Sequence, residues 1–288
     1  MKTHPIWHGV RLRQLATGAD PDAPPRLVSL PAGWEDSAAA ALAALAPGDG
    51  PVALPAAAAA WIEPLNARAP APVPGIRPLA ERLHLLLLRR QAAPEAAVWQ
   101  RRSDLPVRFV LNLPGFLDPL GGFDTAGFVA AIDTVAAALA LLASGQEAPD
   151  GGVPERREPD RADLRGVEPG APSVGVADLA GLLAALGIAY ASTAARDVAR
   201  ALAAILRGRI GPSSGSGFAA FPGLAALPAT TVVPGLSEAA RAASATTPPG
   251  RQAIVAVAAP GAAEALLGVE IGGIAPEFSP LSVGGGLT

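Results

Sequence analysis

The chain has 288 residues, a formal net charge of −3 and no cysteine. Half of its residues are apolar and 16% are charged, the balance of a globular chain rather than a disordered one. The net negative charge argues against a nucleic-acid binder, and the zero cysteine count removes disulfides, thiolate nucleophiles, thiyl radicals, iron–sulfur clusters and Cys-ligated zinc.

The catalytic inventory is thin: three histidines (His4, His8, His84) and one tyrosine (Tyr190). The apolar stretches at 38–46 and 253–259 fall short of the ~20 residues of a membrane span. Residues 1–10 lack the apolar core of a signal peptide. The expectation is a cytoplasmic protein with no membrane contact.

Residues 26–30 (RLVSL) and 51–54 (PVAL) read as short buried strands. Between them Asp36 is placed to cap a helix over 37–45. A Pro/Ala-rich break covers 67–75. Pro78 suits the first position of a helix over 78–91, with Leu83, Leu86, Leu87 and Arg90 on one stripe. Residues 107–113 (VRFVLNL) read as a strand. Asp124 then caps a long helix over 125–143, whose Phe128, Ile132, Val135, Leu139 and Leu142 share one face.

Gly, Pro and alternating charges over 144–172 read as a mobile loop or linker. A small-residue helix is expected over 174–187, stopped by Gly187. A second helix over 193–207 is capped by Ser192, and the two form a helical hairpin. A strand over 253–259, a Pro260–Gly261 turn and a short helix over 262–267 complete the pattern. Trp7, Trp34, Trp61 and Trp99 read as core anchors.

Three segments, in order, resemble the large catalytic subunit of ribonucleotide reductase, closest to the adenosylcobalamin-dependent (class II) branch. The first is 109–116 (FVLNLPGF) followed by 123–128 (FDTAGF), similar to the family's "F-x-N-L" strand and the helix after it. The second is 174–192 (VGVADLAGLLAALGIAYAS), which resembles a glycine-led helix and a "G-I-x-Y-x-S" turn. The third is 253–261 followed by 272–279 (GGIAPEFS), similar to the strand before the phosphate loop and to the "S-G-I-E-P-x-F" segment.

The resemblance implies an α/β fold: a partial ribonucleotide-reductase-like barrel over 105–288, with an additional N-terminal α/β module over 1–100. It also implies adenosylcobalamin, yet the reductase needs a cysteine for its thiyl radical and two more for reducing electrons, and this chain has none. No cofactor is therefore expected.

The family's phosphate loop "P-T-G-S/T" reads Pro260, Gly261, Ala262, Ala263 here. Both hydroxyls are gone, and Glu264 adds a negative charge in the first helical turn. Backbone N–H groups at that turn can still attract an anion, so these four residues are the candidate phosphate site, against a purely structural turn. The expectation is a non-catalytic reductase-like protein that binds a protein partner. The alternative is a nucleotide-binding subunit whose second chain supplies the cysteines, with weak affinity for a nucleoside phosphate. The Gly/Ser loop at 211–217 has no nearby Lys and reads as a connection. His4 and His8 do not read as a metal pair.

Overall fold

The computed structural model describes residues 3–18, 24–144, 172–210, 227, 229–245, 254–255, 261–269 and 273–276. Helices and two small sheets alternate along it, a mixed α/β architecture. In the first sheet, β1 (Leu12–Thr17) pairs antiparallel with β2 (Arg26–Pro31), and β2 runs parallel to β3 (Val52–Ala53). Parallel neighbours need a crossover, and α1 (Asp36–Leu45) supplies it.

Asp36 does not cap α1. Glu35 holds the N-cap position without a side-chain capping bond, and Asp36 opens the first turn. Arg13 on β1 takes the Asp36 carboxylate at 2.6 Å, so a tertiary ion pair displaces the local cap. At the other end Arg26 donates to the Ala43 and Ala46 carbonyls at 2.6 and 3.0 Å, which satisfies groups that a helix C-terminus leaves free.

The strand expected over 51–54 shrinks to Val52–Ala53, because Leu54 begins α2 (Leu54–Arg68). Two prolines disguise this helix in the sequence. Pro55 lies in the first turn, where no N–H is needed. Pro64 lies in the interior and cannot donate to the Ala60 carbonyl, and Arg101 supplies that carbonyl with a donor instead.

Helix α3 spans Leu79–Leu88 rather than 78–91. Asn66, near the end of α2, accepts from the Ala80 N–H at 3.1 Å and so caps α3 from outside. Leu83, Leu86 and Leu87 are buried as the stripe predicts. Arg90 lies beyond the helix in the left-handed region, at φ 56°.

The second sheet has the order β4 (Ala92–Pro94), β5 (Arg108–Asn112), β6 (Ser173–Ala177), β7 (Ile254–Val255). β4 is antiparallel to β5, while β5, β6 and β7 are parallel. A four-residue helix, α4 (Ala96–Trp99), follows β4. The expected 107–113 strand ends at Asn112, because Leu113 opens a 3-10 turn over Leu113–Phe116.

Helix α5 (Thr125–Ala143) starts where the sequence places it, and the Asp124 carboxylate accepts from the Gly127 N–H at 2.8 Å. An 18-residue stretch of this 19-residue helix has a mean hydropathy of 2.0, so by length and composition it can cross a membrane, whereas the sequence reading expected no membrane contact. In the fold its Phe128, Ile132, Val135 and Leu139 face the protein core, and Leu142 is half-buried.

The helix expected over 174–187 is a strand and a helix. Residues 173–177 form β6, buried along its whole length, and α6 spans Leu179–Ala185. A short apolar run suits a central parallel strand and a buried helix equally, and pairing with β5 decides for the strand. Asp178 turns the chain between them at φ 62° and accepts from the Gly181 N–H at 2.9 Å.

Helix α7 (Thr193–Ile210) is capped by Ser192, which accepts from the Ala195 N–H at 3.0 Å. Rather than forming a hairpin with α6, it packs on α8 (Leu236–Ala245) and α5, while α6 packs on the Leu113–Phe116 turn. The last element is α9 (Ala262–Leu266).

The buried apolar residues make one continuous core from Trp7 to Leu267, and all four tryptophans belong to it. The linker expected over 144–172 lies, apart from Ser144 and Pro172, outside the described residues, as does the 211–217 loop. Of the 253–259 strand only Ile254 and Val255 are described.

Candidate functional site

Pro260 lies outside the described residues; Gly261, Ala262 and Ala263 form the N-terminus of α9. Gly261 is the N-cap, and its N–H donates to Glu264 Oε2 at 2.9 Å. Glu264 is thus half of a capping box, reaching back over its own first turn. Its other oxygen accepts from Arg108 at 2.7 Å. Arg108 also reaches Glu95 Oε1 at 3.4 Å, so one guanidinium lies between two carboxylates.

All three side chains are mostly shielded from water. Burial pushes the Glu95 carboxyl above its ordinary range, and the Glu264 charge and a hydrogen bond between the two carboxyls push it further. Arg108 and a bond from the Ala263 backbone act in the opposite sense. Two first-turn N–H groups are therefore already held by the protein's own carboxyls. A Cβ at Gly261 would lie 2.8 Å from Glu95 Oε1, so a larger residue there would push the Glu95 carboxyl aside.

Asn112, the asparagine of the "F-x-N-L" strand, ends β5. Its amide donates to the Arg90 carbonyl at 3.1 Å and to the Leu267 carbonyl at 3.2 Å, tying the strand to the ends of α3 and α9. Tyr190, from the "G-I-x-Y-x-S" turn, donates to the Ile274 carbonyl, which joins the second and third resembling segments.

Arg90 pairs with Glu35 and lies over the Trp34 ring at 4.5 Å. That bond holds the Glu35 carboxyl below its ordinary range.

Among the described residues no three His, Cys, Asp or Glu side chains gather to hold a metal. His4 stacks on His84 at 4.5 Å, and His84 Nδ1 accepts from the Trp7 indole at 3.0 Å. Both of these histidines are engaged within the fold.

Sequence reasoning found Glu264 but missed Glu95 and Arg108. The available signal was Arg108 itself, a charge inside an otherwise apolar β-run, which requires a partner. The chain matches no family model and no curated protein.

Proposed function

We infer that the chain is a non-catalytic relative of ribonucleotide reductase with a binding or structural role exerted through a protein partner. The three resembling segments support the kinship: they contain β5, β6 and β7, adjacent parallel strands in the same order. On this reading these strands are the remaining part of a barrel, and the first sheet belongs to an added N-terminal α/β module. Thiyl chemistry needs cysteine, and the sequence holds none. A cytoplasmic location belongs to the same reading.

One observation favours this role over nucleotide binding. Where the resemblance places a phosphate, Glu264 and Glu95 already take the first-turn N–H groups and Arg108. An incoming phosphate would have to displace Glu264, a buried carboxyl of its own charge, together with Glu95.

The second reading, a nucleotide-binding subunit completed by another chain, is favoured by the buried Arg108 guanidinium beside a helix N-terminus. Titration calorimetry with a nucleoside diphosphate separates the two. The first predicts no heat at millimolar ligand; submillimolar binding at this loop, abolished in Arg108→Met, would establish the second. A turnover assay with adenosylcobalamin, a thiol reductant and ribonucleotides is expected to yield no deoxyribonucleotide. On the second reading, mixing with a cysteine-containing reductase chain from the same source should give a stoichiometric complex, and separate elution would count against that reading.

A further inference from the structure

A cleft of about 240 Å³ lies between α2, α4 and the end of α5. Its buried floor includes Trp61, Leu65, Val98 and Val107, and Arg68, Arg101 and Arg102 line it as exposed cations. Arg102 is neutralised by Asp104, with Nε–Oδ1 at 3.0 Å. Arg68 donates to the Leu141 carbonyl and to Ser144 Oγ, and Arg101 to the Ala60 carbonyl. Among the described residues neither Arg68 nor Arg101 has an acidic partner, so the cleft carries two uncompensated positive charges beside an apolar floor.

The backbone at Arg101 gives an independent indication. Its φ is 53°, a left-handed position just past the end of α4, where glycine is the low-strain residue. The other described non-glycine residues with positive φ are Arg90 and Asp178. Each uses its charged group, Arg90 on Glu35 and Asp178 on the Gly181 N–H. In Arg101 the Ala60 carbonyl occupies one N–H, and among the described residues no carboxylate answers the charge.

We propose that this cleft binds a small organic anion, a carboxylate or phosphate carried on an apolar body. The charge sits between Arg68 and Arg101, and the body lies against Trp61 and Leu65. The volume is below the ~300 Å³ of the smallest drug-sized sites, which restricts the ligand to a single ring or short chain. The site shares no lining residue with α9 and does not depend on the role proposed for the whole chain.

Phenyl phosphate and phenylacetate are the probes, titrated into the full chain by calorimetry and by tryptophan fluorescence. Both are expected to bind at least about tenfold more tightly than inorganic phosphate, which lacks the apolar body, or benzyl alcohol, which lacks the charge. Arg101→Gln keeps an amide donor for Ala60 while removing the charge, and Arg68→Gln removes the second cation. Each should weaken binding about tenfold with an unchanged circular dichroism spectrum, whereas Arg77→Gln, at an exposed ion pair elsewhere, should bind as the native chain does. Equal affinity for inorganic phosphate, unaltered binding in folded Arg101→Gln and Arg68→Gln, or no binding of either probe at millimolar concentration would overturn the proposal.

Discussion

Arg108 on β5 and Glu264 on α9 are joined at 2.7 Å although 156 positions separate them in the sequence. The bond fastens the last described helix to the second sheet, and Glu95, just after β4, closes the cluster. Because Glu264 also holds the Gly261 N–H, the same carboxylate serves as helix cap and ion-pair partner.

Removing the arginine leaves two carboxyls buried without a cation, which is the costly way to break such a cluster. Arg108→Met should lower stability by about 3–5 kcal/mol in urea unfolding at pH 7. Glu95→Gln should behave differently. The Glu95 pKa is raised in the fold, so above the ordinary carboxylate range the native chain retains a proton that the unfolded chain has released. Stability therefore falls as pH rises through that window. Glu95→Gln, which imitates the protonated form, should remove that decline and be at least as stable as the native chain at pH 8. A steeper decline in the variant would reverse the assigned direction.

The elements legible in the sequence are those whose signals are local. Asp124 and Ser192 cap α5 and α7 through contacts within three residues, and the α5 stripe needs only the 3.6-residue period. What escaped depends on distant partners. β6 declares itself only by pairing with β5. Pro64 in α2 is tolerated because Arg101, 37 positions later, serves the carbonyl it abandons. The Arg108 cluster joins three segments, and only its Glu264 corner could be read from spacing.

The buried face of α5 can be tested residue by residue. Ile132 and Leu139 are both 0% exposed, so truncation of either to Ala should cost about 2–5 kcal/mol. Asp133 is on the exposed side, in an ion pair with Arg209 at 3.1 Å. Exposed pairs contribute about 0–1 kcal/mol, and Asp133→Ala should fall in that range. Chemical denaturation of the three variants reads this out, and equal losses at all three positions would refute the assigned face.

Helices α7 and α8 meet backbone to backbone at Gly208. A Cβ there would lie 2.2 Å from the Ala243 carbonyl oxygen, and backbone has no rotamer with which to retreat. In an ordinary helix interior Gly→Ala is favourable by roughly 1 kcal/mol. Here the sign should reverse, with Gly208→Ala costing about 1–3 kcal/mol as the helices separate. A raised melting temperature in Gly208→Ala would show that the helices approach less closely than this.

His84 should make stability depend on pH in the mildly acidic range. Its side chain is fully buried, and burial, reinforced by the nearby His4, pushes its pKa down to about 4. Glu63 lies 3.7 Å from Nε2 and would favour the charged ring, but it is half exposed, so burial dominates. The neutral ring accepts the Trp7 indole N–H on Nδ1; a protonated ring has no lone pair there and cannot. Because the folded pKa is below the unfolded one, His84's contribution is fully present above about pH 6.5 and is lost as pH falls toward 4, at up to about 1.4 kcal/mol per pH unit. Trp7 and the 3-10 turn over Pro5–Trp7 that it anchors should detach first. Unfolding free energies measured between pH 4 and 7 should slope upward with pH in the native chain. His84→Leu should be flatter over that interval, although less stable at pH 7 because it leaves the Trp7 N–H without an acceptor. An unchanged slope in His84→Leu would move the titration to another group.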